Sequence, residues 1–259
     1  HPDGYGPYTE FEGGWGFCVI TRDAYEAFEP GDIRRDVAVL NLDTYQEEMM
    51  NRGIAVNYTG RYQNTGYFLR KYLGRPGGKA DQAGDADLNW ENNFHLYRYA
   101  ETLLVAAELA WRTNSGEAQG YFDQVRERAG LSPKAISEEA IMQERRVELL
   151  GEGKRYFDLV RFGKAAEVLK PGGGAIYVTK DAHRFVCTDG TVTQDKPKGE
   201  VKTNADGKPL NLVINGELKW TGKGAAIPQR PQWTENKKYL PIPQIEIESS
   251  HGATVQNPY

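Results

Sequence analysis

Cysteine is almost absent from this sequence, and its scarcity sets the first limits. Only Cys18 and Cys187 occur, too few for a zinc ribbon or a disulfide framework, and they leave open either one disulfide or two buried free thiols. Histidine is as sparse: His1, His95, His183 and His251 show no HExxH or comparable ligand spacing, so no histidine-based metal site is expected. An excess of positive charge is also lacking. Lys and Arg number 32 against 36 Asp and Glu, giving a net charge of −4 with the arginines interleaved among acids, which argues against nucleic acid or an anionic membrane as a partner. No apolar run approaches a membrane span. The first residue is His1 rather than a methionine or a signal peptide, so a processed or truncated start is expected.

What is present supports a folded chain: 259 residues, 39% hydrophobic and 26% charged, suffice for a real core. Residues 1–16 (HPDGYGPYTEFEGGWG) are dense in Gly, Tyr and Pro, a composition that makes turns displaying aromatic rings. Thr21 is placed to cap a short helix through Tyr25 and Phe28 that stops at Glu29-Pro30-Gly31. Signals are mixed from 37 to 72, and 75–93 reads as loop. Leu96, Ala100, Leu103, Ala107 and Ala110 recur at helical spacing; after a turn at Asn114-Ser115-Gly116, so do Ala118, Phe122, Val125 and Ala129, closed by Gly130. Together they predict a helical hairpin. A third helix should start at Ser137, stapled by Ile136 and Ile141, and run to about Leu150. A fourth, Lys154 to Phe162, ends at Gly163, and a brief piece covers Ala165 to Leu169.

Residues 175–225 change character, with alternating segments that predict strands. Asn215-Gly216, flanked by Leu210, Leu212, Ile214, Leu218 and Trp220, predicts a type I′ hairpin. The proline-rich tail KKYLPIPQIEIESSHGATVQNPY reads as an extended strap, with no helix before Ile242. The fold class expected is mainly α with irregular loops and β-hairpins: a loop-rich part over 1–93, a helical core over 94–169, a variable β-hairpin insert over 170–232 and a C-terminal strap over 233–259.

The densest chemical pattern is Glu144, Arg145, Arg146, Glu148, Glu152, Arg155, Asp158 and Arg161. Glu144 and Glu148 share a helix face, and paired carboxylates are what glycosidases use. Each acid, however, has an arginine within a helical turn, and cations oppose the raised pKa that a general acid needs. The pattern therefore reads as structural, locking the third helix to the fourth. Asp85, Asp87, Asn89 and Glu91 hint at calcium, but Trp90 and Leu96 stand where an EF-hand needs Gly and Glu. No cofactor is expected.

Sugar rings present flat C–H faces that stack on aromatic rings, while their hydroxyls need polar partners. Tyr5, Tyr8, Phe11 and Trp15, with Asp3 and Glu10, fit that demand as a cluster, although any one of them, Phe11 and Trp15 above all, reads more readily as a plug of the core. Tyr5, Tyr8, Glu10 and Trp15 are the candidate ligand residues. Trp111 reads as core; Trp90 and Trp233 lie in loops.

Three segments, GWGFCVITRDAYEAFEPGDIRRDVAVL, then RYAETLLVAAELAWR through YFDQVRERAGL to ERRVELLGEGKRYFDLVRFG, and YLPIPQIEI with the terminal QNPY, resemble the SusD/RagB family of outer-membrane lipoproteins. They occur in family order. The terminal motif departs from the pattern in lacking a glycine before its last tyrosine, and 170–230 has no family pattern. The resemblance implies the C-terminal portion of a SusD-like α/α superhelix of tetratricopeptide-like hairpins, without its N-terminal half and lipid anchor. It further implies a non-catalytic binder at the outer membrane's extracellular face that passes an oligosaccharide to a TonB-dependent, SusC-like transporter. Because some family members handle peptides, a peptide-binding or protein-binding scaffold is the alternative.

Overall fold

Thr21 caps the first helix as its side chain dictates. Its Oγ1 accepts the Ala24 amide at 3.2 Å, and α1 (Arg22–Glu26) follows. The computed structural model describes residues 11, 18–52, 65–78, 89–169, 176–177, 183–186, 192–193, 211–213, 218–219 and 233–256. The chain divides into two units, His1–Gly153 with Gly174–Ile227 and Lys154–Gly173 with Pro228–Tyr259.

In the first unit, the stretch of mixed signals folds as α2 (Arg34–Ala38), β1 (Val39–Asn41), α3 (Leu42–Asn51), β2 (Tyr67–Leu69) and a 3-10 turn, Arg70–Tyr72. β1 and β2 pair antiparallel, with Leu40 opposite Phe68. Successive residues of a strand point to opposite faces, and here both faces are covered. Leu40 and Phe68 join Phe11, Leu42, Tyr45 and Met49 in one core, while Val39 and Tyr67 join Ile20, Phe28 and Val147 in another. A strand buried on both sides carries no apolar-polar alternation, which is why this region was unreadable. Phe11 is fully buried in the first of these cores, so of its two readings the core one holds.

The helical hairpin forms from α4 (Tyr99–Arg112) and α5 (Ala118–Arg128). Ala100, Leu103, Leu104, Ala107 and Ala110 are buried on one side of the pair, Ala118, Phe122 and Val125 on the other. Gly130, at φ 75°, ends α5: its amide bonds to Glu127 O and the Leu131 amide to Arg126 O, the doubly bonded C-cap that a left-handed glycine permits. α6 (Glu138–Glu148) starts on Ser137, whose Oγ accepts the Ala140 amide at 3.1 Å. Helix α4 begins later than its apolar spacing predicts, leaving Leu96 76% exposed. Arg98 stays extended (φ −152°, ψ 161°) because its guanidinium is held elsewhere, as described below.

Among the described residues the first unit also holds five short strands: β3 (Ile176–Tyr177), β4 (His183–Val186), β5 (Val192–Thr193), β6 (Asn211–Val213) and β7 (Leu218–Lys219). β4 pairs antiparallel with β5 and β6, and β3 with β7. The hairpin expected across Asn215-Gly216 would join β6 to β7; instead each pairs with an earlier strand. Alternation fixes which residues share a face but leaves the partner strand open. The turn itself lies outside the described residues.

The second unit holds α7 (Arg155–Arg161), α8 (Ala165–Val168), a 3-10 turn at Glu235–Lys238 and α9 (Gln244–Ser249). The Tyr156 hydroxyl donates to Lys237 O. α9 interrupts the expected strap: Pro243 stands before its first turn, where proline costs a helix nothing, and no proline follows until 258. The Gln256 side chain closes this segment, accepting the Ile242 amide at 2.8 Å and donating to Ile242 O at 2.9 Å.

Gly151 adopts φ 77°, and a Cβ there would lie 2.3 Å from a Leu69 methyl. Gly151→Ala should therefore lower stability by about 1–2 kcal/mol through the left-handed backbone alone, read as a lower urea midpoint. Gly116→Ala, which enters open space, should leave the midpoint unchanged.

Candidate functional site

Helix α6 carries Glu144 and Glu148 one turn apart, both buried. Their partners come from far along the chain. Arg34, on α2, reaches Glu144 at 2.7 Å and Glu148 at 2.8 Å through one guanidinium nitrogen. Its other two nitrogens grip Asp32 at 2.9 and 2.7 Å. Arg126, on α5, bonds the second oxygen of Glu144 at 3.0 Å and both oxygens of Glu29 at 3.1 Å. Arg98, just before α4, donates to Glu152 at 2.9 Å, to the Glu148 carboxylate and to the Glu148 carbonyl. Arg128 adds a bond to Glu148 at 2.6 Å, and Lys71 one to Glu152 at 2.7 Å.

Burial pushes the Glu148 carboxyl up, but the hydrogen bonds from Arg34 and Arg98 outweigh it and hold the group below the usual carboxylate range. The same contest at Arg34, burial against bonds from Asp32 and two glutamates, leaves its guanidinium more firmly protonated than usual. Hydrogen bonds from Arg126 hold Glu29 at about 2, against its ordinary 4.5. Such groups stay ionised at neutral pH and have no proton to give, which is the reverse of a general acid.

Of the residues singled out in the sequence, the structure gathers Glu144, Glu148 and Glu152. Arg145 pairs with Glu101 at 3.5 Å and Arg146 with Asp23, each apart from that cluster. Asp158 and Arg161 form a local pair at 2.8 Å within α7, in the second unit, where Arg155 is the first helical residue. Short-range pairing was expected to satisfy the α6 acids; the observed partners lie from 18 to 114 residues away along the chain. Reading the sequence missed Arg34, Arg98, Arg126, Arg128 and Lys71. No local signal pointed to them, because each acid of the pattern already had an arginine within a helical turn.

Tyr5, Tyr8, Glu10 and Trp15 lie outside the described residues, as do Asp85, Asp87 and Cys187. Cys18 is exposed and free, so the buried-thiol reading fails at that position. Glu91 is tied through its amide to Gly78 O. Trp90 packs against Gly74, where a Cβ would sit 2.5 Å from the ring.

Above Glu148 and Glu152 opens a cleft of about 390 Å³, walled by Arg34, Lys71, Arg98 and Arg128. One face of α4 is also open: Tyr99, Val105 and Leu109 are exposed along it.

Comparison with known proteins gives a consistent set of matches. The SusD family model covers residues 21–259. Surface glycan-binding protein A from Bacteroides thetaiotaomicron, also solved in complex with laminarihexaose, is 35% identical with a TM-score of 0.65, over 100% of this chain and 46% of that one. A laminarin binding SusD-like protein is 36% identical with a TM-score of 0.55, over 64% of this chain and 36% of that one. SusD-like protein P2 from Formosa agariphila is 30% identical over 190 residues, 68% of this chain and 37% of that one. The chain thus spans less than half the length of these relatives.

Removing the Glu148 carboxylate strips Arg34, Arg98 and Arg128 of a shared partner. Glu148→Gln should cost about 3–5 kcal/mol, measured by urea unfolding; a loss under about 1 kcal/mol would show the ion cluster to be dispensable. Glu29, with its lowered pKa, contributes stability that is full above its ordinary 4.5 and is lost as pH falls toward about 2. In Glu29→Gln the decline of thermal midpoint over that range should be shallower than in the parent.

Proposed function

The chain belongs to the SusD family, and from that premise we propose that it is part of a cell-surface protein that binds a laminarin-type glycan, unaltered, for delivery to a TonB-dependent transporter. The observation that carries the reading is the match along the entire chain to a glycan-binding protein solved with laminarihexaose. The site chemistry agrees with binding rather than cleavage. Each of the two α6 carboxylates is bridged by more than one cation, and Glu148, the one that faces the cleft, is held below the usual carboxylate range, the reverse of what a glycosidase acid needs. Recognition falls to the ring-bearing turn over 1–16, with Tyr5, Tyr8 and Trp15 stacking on sugar faces and Glu10 accepting hydroxyl protons. No cofactor is needed for such contacts.

The full protein is placed at the extracellular face of the outer membrane, held there by a lipid. No helix among the described residues is long and apolar enough to cross a membrane. The open face of α4 supports a further element of the reading. A hairpin of this kind buries only one side by itself, and Tyr99, Val105 and Leu109 are the side chains on which a preceding helix pair would stack.

Calorimetric titration with laminarihexaose tests the reading. Tyr8→Ala and Trp15→Ala should each weaken binding about tenfold, or ~1.4 kcal/mol, while the protein releases no reducing sugar from laminarin. Undiminished affinity in both variants would remove the 1–16 turn from the binding surface; sugar release that disappears in Glu148→Gln would overturn the non-catalytic assignment.

A further inference from the structure

The cleft over Glu148 and Glu152 contains more hydrogen-bonding capacity than the fold consumes. Arg34 and Arg98 are spent: all three nitrogens of each guanidinium donate to Asp32, Glu144, Glu148 or Glu152. Arg128 and Lys71 are not. Arg128 makes one bond, from a single Nη to Glu148 at 2.6 Å, and its side chain is 59% exposed. Lys71 makes one bond, to Glu152 at 2.7 Å. A guanidinium carries five N–H donors and an ammonium three, so most of the donors on these two cleft-lining cations meet no acceptor among the described residues. The wall holds four permanent cations against two carboxylates, and both carboxylates are already shared by several donors. With Asp32 and Glu144 answering Arg34 from outside the wall, what the cleft offers a ligand is the spare donors of Arg128 and Lys71.

Ile33, Val37, Ala38 and Val147 supply the aliphatic part of the wall, and His95 is the remaining lining side chain. Ile33 and Val37 are 60% and 69% exposed at its edge. Among the described residues no Trp, Tyr or Phe lines it and the His95 imidazole is its one ring, so it lacks the broad ring platform on which a sugar face would stack. Methyl groups beside cations suit a different partner, one that brings a carboxylate flanked by aliphatic side chains.

We propose that this cleft is a protein-docking site, seating a partner polypeptide segment that presents an acidic side chain between aliphatic ones. The incoming carboxylate bridges Arg128 and Lys71, in the charge-assisted geometry that guanidinium and ammonium groups favour, and its aliphatic neighbours cover Ile33 and Val37. The glycan surface of the preceding section is composed of other residues. Docking and sugar binding are therefore separable: loss of one leaves the other intact.

The minimal probe is 4-methylpentanoate, which joins a carboxylate to a branched aliphatic end, with its neutral amide and glucuronate as comparisons. Methyl resonances of Ile33, Val37 and Val147 are followed in the 259-residue chain. The carboxylate should shift them saturably at millimolar concentration, and the amide should bind about tenfold more weakly or worse. Lys71→Gln with Arg128→Gln should abolish the shifts while circular dichroism and laminarihexaose affinity stay unchanged. Should that double variant fail to fold, added salt on the parent chain replaces it. Raising salt to about 1 M, where screening acts within ~3 Å, should weaken the carboxylate and leave the amide alone. Equal binding of acid and amide, or no saturable shift, overturns the proposal. Tighter binding of glucuronate than of 4-methylpentanoate overturns it as well, by making the cleft a site for acidic sugars.

Discussion

Two ionised carboxylates on one helix face, taken out of water, are the constraint to which the first unit is built. Moving such a group from water into protein is costly by several kcal/mol, and only well-placed opposite charge offsets it. Glu144 and Glu148 meet that requirement with Arg34, Arg98, Arg126 and Arg128, which come from α2, from the residue before α4 and from α5. Each guanidinium fixes its own backbone in turn. Arg98 is held extended and delays the start of α4, while Arg34 ties the turn at Asp32 to α6. Replacing these groups by apolar ones could leave a protein of equal stability. What such ion pairs add is a single allowed arrangement of four separate segments, since each nitrogen has a place only when all segments are present.

The same arrangement divides labour. Carboxylates committed to several cations cannot shuttle protons, so the residues that most resemble a catalytic pair are withdrawn from chemistry by their neighbours. Cations at the margin of the cluster, Lys71 and Arg128, remain only partly used. Surfaces that the fold leaves open, the cleft and the Tyr99, Val105 and Leu109 face of α4, are aliphatic or mixed and suit protein contact. The ring-rich turn, by contrast, has the composition for sugar.

Local rules were legible because they act within a few residues. Thr21 and Ser137 cap where the sequence says they should, Gly130 ends α5 by its left-handed backbone, and the Ala100-to-Ala110 stripe buries as its period requires. Order of the three family-like segments carried the fold. Reading failed where a residue's role depends on a distant partner. Nothing near Arg34 or Arg98 announces Glu148, and nothing in LNLVINGELKW says that its two strands will pair with β4 and β3. Strands of two to four residues, and strands covered on both faces, leave no period to detect. Trp90 looked free because it sits in a loop; its ring is pinned by the absence of a side chain at Gly74, a contact that no spacing rule contains. The residues proposed to touch sugar, Tyr5, Tyr8, Glu10 and Trp15, rest on composition and on the family's binding behaviour.

At the other end of the chain, one amide does the work of a covalent staple. Gln256 bonds both backbone atoms of Ile242, imitating a β-bridge with a side chain on one half. Closure of that ring depends on main-chain atoms at one end and a single glutamine at the other, with Ser250 bracing its interior through Ile247 O and the Thr254 amide. Lengthening the ring carries only the modest entropic cost of a longer loop, whereas Asn at 256 is one methylene too short and Glu lacks the donor.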